Sequence, residues 1–86
     1  MSAEMKFLSD VMAECCEARI MFPHPNACMT ALTEEVGELA KAMMDEPSPR
    51  VYKEAVQVAT MAMRLALEGD PTLNKVREER DAGKHP

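Results

Sequence analysis

Along the chain, stretches whose apolar residues recur every three or four positions alternate with short stretches broken by proline. From Ala3 to about Phe22, the residues Met5, Leu8, Met12, Cys15 or Cys16, and Arg19 or Ile20 fall at such intervals, which predicts an amphipathic helix. FPHPN, residues 22–26, carries two prolines that stop this helix, and Asn26 is placed to cap the next one by accepting from its free backbone N–H groups. A second helix is predicted from about Ala27 to Met44, with a core stripe of Met29, Leu32, Val36, Leu39, Ala40 and Met43. Gly37 lies inside it although glycine costs about 1 kcal/mol there relative to alanine. A close approach by another backbone or a ligand would explain that choice.

DEPSPR, residues 45–50, breaks the chain again, with Ser48 as the expected N-cap and Pro49 at the first helical position, where its missing N–H costs nothing. The third predicted helix runs from Pro49 to Glu68 and stops at Gly69. Its apolar residues, from Val51 through Ala55, Val58, Ala62 and Leu65 to Leu67, point several ways, so it should be packed on more than one side and form the centre of the bundle. Asp70 and Pro71 open a short fourth helix over roughly Pro71 to Asp81, whose charged KVREERD segment should lie on the surface, and the final AGKHP should fray.

These elements predict an all-α fold in one domain spanning residues 1–86: a bundle of three main helices plus a short C-terminal helix. Composition agrees, because the apolar residues are mostly Met, Ala, Val and Leu, with two Phe, one Tyr and no Trp. A chain of 86 residues buries a comparatively small share of its surface, so a homo-oligomer, dimer or tetramer, is expected to complete the bundle. With 15 acidic against 10 basic residues the net charge is -5, which repels nucleic acid and anionic membrane. No basic cluster or row of aromatics offsets this. The three cysteines, Cys15, Cys16 and Cys28, follow no secretory signal, which points to reduced thiols in a cytoplasmic protein. A zinc set of Cys15 or Cys16 with His24 and Cys28 has a spacing that fits no familiar knuckle, and buried, inert thiols are the simpler reading. The apolar run over residues 55–67 is interrupted by Gln57 and Arg64 and is too short to span a bilayer.

The carboxylates of the two central helices carry the candidate chemistry. At 100° per residue, Glu34 and Glu38 lie nearly opposite the apolar stripe and Glu35 lies at its flank, where solvated glutamates ordinarily sit. Glu54, Gln57, Thr60, Arg64 and Glu68 form a polar strip on the third helix, which read alone is a water-facing edge with Lys41 and Arg64 as screening cations. Taken together the helices say more. Glu35 and Glu38 are spaced i, i+3, and Glu54 and Gln57 repeat that spacing on a helix that a short connection should make antiparallel. Facing one another, they would set three carboxylates and one amide oxygen around a common point, a hard-oxygen set suited to Mg²⁺ or Mn²⁺.

EEVGE (residues 34–38) followed by EAVQ (residues 54–57) resembles the EExxE plus ExxD signature of the MazG-like nucleotide pyrophosphohydrolases. This all-α superfamily also includes dimeric dUTPases and phosphoribosyl-ATP pyrophosphohydrolase, and the resemblance covers about residues 22–70. It implies Mg²⁺ held by Glu35, Glu38 and Glu54, with Glu34 supporting the site, and a metal-activated water that cleaves a nucleoside triphosphate into monophosphate and pyrophosphate. Lys41, Lys53 and Arg64 become candidate phosphate contacts, or else ordinary surface cations. His24 and Asn26 become candidates to touch a base or ribose, or else a turn histidine and a helix cap. The sequence departs from the pattern at Gln57, a weaker ligand than the expected aspartate. A non-catalytic oligomerisation or nucleotide-binding module of the same fold, and a phosphoribosyl-ATP pyrophosphohydrolase, are the alternative readings.

Overall fold

The computed structural model describes residues 1–23 and 28–83, and these form four helices and no strand: α1 (Ala3–Met21), α2 (Cys28–Asp45), α3 (Ser48–Glu68) and α4 (Pro71–Ala82). The all-α bundle expected from the apolar periodicity is therefore the fold. Local chemistry sets most of the ends. Ser2 caps α1 by accepting from the Met5 N–H at 3.1 Å, and α1 closes at Phe22, before Pro23. Gly69, at φ 77°, ends α3 in the left-handed region that glycine alone enters without strain. Asp70 caps α4 through its Thr72 and Leu73 N–H groups. At α3 the expected cap is displaced: Pro47 holds the N-cap position without a side-chain hydrogen bond, and Ser48 is already helical. Proline's fixed φ sets the extended entry there, so the turn needs no hydroxyl. Residues 24–27, including His24 and Asn26, lie outside the described residues.

Partners across helices reveal the topology. Asp10 meets Tyr52, Glu14 meets Gln57 and the Phe22 carbonyl meets Arg64, at separations of 42 or 43 residues, so α1 and α3 run in the same direction. Met29 meets Asp70 while Glu35 meets Glu54, so α2 runs antiparallel to α3. The connection between them is only Glu46 and Pro47. Among the described residues, α1 and α2 both pack on α3 but not on each other, and α4 packs on none of them. The result is a groove with α3 as its floor.

Two expectations about faces are corrected here. The α1 stripe of Met5, Leu8, Met12 and Ile20 points outward, each residue more than half exposed, while Val11 and Cys15 are buried against α3. On α2, Met29, Val36, Ala40 and Met43 are likewise exposed, whereas Cys28 and Ala42 are buried and Ala31, Leu32, Glu35 and Leu39 are half-buried. The inner face is thus one residue out of phase with the predicted stripe. On α1 it turns inward because α3 presents polar groups to the groove, and Asp10 and Glu14 find partners there that an apolar stripe could not supply. Among the described residues nothing comes within 4 Å of a Cβ built on Gly37, so the expected close approach is not made by any of them.

The hydrophobic core is small: Val11, Cys15, Cys28, Ala42 and Val56. The surface of 6384 Å² exceeds the roughly 5,100 Å² expected of a compact monomer of this mass. The radius of gyration, 15.8 Å, exceeds the about 12 Å of a compact domain. No helix of the described residues is long and apolar enough to cross a membrane.

Candidate functional site

The polar strip of α3 is not the water-facing edge that its sequence suggests when read alone. Glu54, Thr60 and Arg64 are buried and Gln57 is half-buried, because this strip forms the groove floor. Glu54, 6% exposed, sits in the second turn of α3, and Arg50 one turn earlier donates Nη2 to its Oε1 at 2.7 Å. Across the groove, the half-buried Glu35 of α2 brings its carboxyl group within hydrogen-bond reach of Glu54. Burial pushes the Glu35 carboxyl above the ordinary value of 4.5, and the charge and hydrogen bond of Glu54 push it further, followed by the charges of Glu38 and Glu34. Glu34 and Glu38 are themselves exposed.

The structure therefore joins Glu35 to Glu54 and sets Glu34 and Glu38 within electrostatic range. It does not aim Gln57 at them as a fourth donor. The Gln57 amide turns to α1 instead and donates Nε2 to Glu14 Oε1 at 2.8 Å. Lys41 and Lys53 are exposed, and Lys53 lines a smaller hollow of about 300 Å³ with Asp10 and Tyr52. Arg64, 2% exposed, gives Nε to Glu68 at 2.7 Å and Nη2 to the Phe22 carbonyl at 2.8 Å. Glu68 also accepts from Arg19 at 2.7 Å, and these guanidinium groups, Arg64 first, hold its carboxyl below the ordinary range. This network clamps the C-terminal end of α1 to α3.

Between α1 and α2 opens a cleft of about 650 Å³. One end carries Glu14, Gln57 and Glu35; the other carries Met21, Phe22, Cys28 and Arg64, with Thr60 and Met61 on the floor between. Cys15 and Cys28 are buried free thiols and Cys16 an exposed one, and burial pushes the Cys28 thiol up. The donor set around Glu35 and Glu54 fits Mg²⁺ or Mn²⁺ in kind, since it is all hard oxygen and its mutual repulsion is what a divalent cation relieves. Among the described residues, no three His, Cys, Asp or Glu side chains are gathered closely enough to hold a metal ion as they stand.

Sequence reasoning missed Arg50, Glu14 and Phe22. Arg50 had a legible signal, its i, i+4 spacing to Glu54. Glu14 and Phe22 had none, since only the docking register of α1 brings them to the groove. That register also changes what Gln57 does. Gln57→Asp is expected to set a second carboxylate against Glu14 and to cost about 1–2 kcal/mol of stability, read as a lower melting temperature without metal. Unchanged melting would mean that the Glu14 contact carries no energy.

No protein-family model matches this chain, and no curated protein or solved structure matches it.

Proposed function

We propose that the chain is a Mg²⁺-dependent nucleoside triphosphate pyrophosphohydrolase of MazG-like type, releasing nucleoside monophosphate and pyrophosphate and acting in the cytoplasm as a homodimer or homotetramer. The observation that carries this reading is the approach of Glu35 to Glu54, from antiparallel helices, with Glu35 lining one end of a cleft large enough for a nucleotide. Glu35, Glu38 and Glu54 would hold the cation, which when bound neutralises phosphate oxygens and makes hydroxide available at neutral pH. The chain's own residues would do the rest: Arg50 fixes the Glu54 carboxylate, Glu34 would orient the attacking water, and exposed Lys41 and Lys53 would be available to phosphate oxygens. No covalent nucleophile is required.

The test is pyrophosphate release from a panel of ribo- and deoxynucleoside triphosphates, with and without Mg²⁺. Metal-dependent release from at least one of them is expected, and release from none refutes the reading. One observation favours a second reading, a nucleotide-binding module without catalysis: Gln57 is spent on Glu14 and leaves the carboxylates one donor short. Triphosphate binding without turnover would select it.

The oligomer rests on the outward stripes of α1 and α2 and on the surface excess. Sedimentation at micromolar concentration is expected to show a dimer or tetramer, and a stable monomer would remove this part of the proposal.

A further inference from the structure

The hydrogen-bonded pair Glu14–Gln57 lines the cleft and is left unused by the proposed chemistry, and we infer that Glu14, aligned by Gln57, accepts a hydrogen bond from a sugar hydroxyl of the bound nucleotide. This deepens the pyrophosphohydrolase reading and rests on it for the orientation of the ligand. Along α3, Gln57 lies one turn beyond Glu54, and Arg64 lies about 10 Å beyond Gln57. The cleft follows this line, from Glu14, Gln57 and Glu35 to Phe22, Cys28 and Arg64. A nucleotide whose phosphates are anchored beside Glu35 and Glu54 must lead away in the order phosphate, sugar, base, so the sugar comes level with Glu14 and Gln57. The base then reaches the far end, where Phe22, 62% exposed, and Met21 offer apolar surface to a planar ring.

The chemistry at the middle position selects the group that lies there. A carboxylate only accepts hydrogen bonds. Gln57 Nε2 occupies the Oε1 of Glu14, and the described residues direct no donor at its Oε2. The ligand group facing Oε2 must therefore be a donor, which a phosphate at neutral pH is not and a sugar hydroxyl is. Gln57 acquires a role as well. An aspartate in its place would repel Glu14, whereas the amide turns and holds it, so Gln57 is a positioning residue for sugar recognition.

Calorimetric titration with a ribonucleoside 5′-monophosphate and its 2′,3′-dideoxy counterpart, both with Mg²⁺, tests this without requiring turnover. Wild type is expected to bind the ribonucleotide about tenfold more tightly, the size of one hydrogen bond to a charged acceptor. Glu14→Ala is expected to bring the ratio close to one, and Gln57→Ala to leave it intermediate, since the acceptor stays but loses its alignment. Equal binding of the two nucleotides by wild type overturns the inference even if Glu14→Ala fails to fold, as does a ratio that Glu14→Ala leaves unchanged. Discrimination without triphosphate hydrolysis keeps the sugar contact and refutes the hydrolase, whereas hydrolysis without discrimination does the reverse. Binding of neither nucleotide overturns the sugar contact and its premise together.

Discussion

Glu35→Gln is expected to raise the melting temperature of the metal-free protein at pH 7 by about 3–6 °C and to lower Mg²⁺-dependent hydrolysis by about 100-fold or more. The two effects share one cause. Glu35 is half-buried, touches Glu54 and feels Glu38 and Glu34, so its charged form is disfavoured in the folded chain. With its pKa raised above 4.5, the folded state gains from a protonated Glu35 below that value and loses this gain as the pH rises through the raised value. Glutamine keeps the shape and removes the charge, so it relieves the strain at neutral pH and should confer no advantage below about pH 4.5. It also removes an anionic oxygen from the proposed metal site. Melting curves from pH 4 to 7, beside the pyrophosphate assay, read both effects. Equal melting at pH 7 would show that the carboxylates are not in conflict, and full hydrolysis would show that Glu35 holds no metal.

Asp70→Ala should be the most damaging single substitution outside the groove, lowering the melting temperature by about 10 °C. Its carboxylate, 4% exposed, caps two helices at once. Oδ1 accepts from the Thr72 and Leu73 N–H groups of α4 at 3.0 and 3.4 Å, and Oδ2 accepts from the Met29 N–H of α2 at 3.0 Å. The Met29 N–H, more than any other group, holds the Asp70 carboxyl below its ordinary value of 3.8, and burial opposes it. A depressed pKa contributes stability above the unfolded value and loses it as the pH falls through the folded one. The gap between wild type and Asp70→Ala should therefore be constant between pH 5 and 8 and close below about pH 3.8. Asp70→Asn, which keeps one acceptor oxygen, should lie between them. A gap that does not narrow in acid would show that shape and not charge is what Asp70 supplies.

Asp70 also shows where sequence reading stops. Its capping of α4 is legible, because an aspartate followed by proline at the first helical position is a local signal. Its capping of α2, 41 residues away, is not, since nothing in the spacing says that α2 returns antiparallel to within reach of it. The site divides the same way. The meeting of Glu35 with Glu54 followed from the i, i+3 pairs and the short connection, whereas the turning of Gln57 to Glu14 needed the position of α1.

What the sequence determined by itself was local. Pro23, Pro47, Gly69 and the Asp70–Pro71 step bound the helices, and the spacing of apolar residues makes helices of what lies between, because φ/ψ preference and backbone hydrogen bonding act within a few residues. What the tertiary structure decided was which face of each helix turns inward. Periodicity defines an apolar stripe but not the neighbour it meets, and here the floor of α3 is polar, so Glu14, Glu35 and Asp10 go in while Met5, Leu8, Met12, Val36 and Met43 stay out. Glu54 and Arg64 find their ionic partners, Arg50 and Glu68, within α3 itself, and the docking of α1 adds what α3 lacks: the Phe22 carbonyl for Arg64, Glu14 for Gln57 and Asp10 for Tyr52.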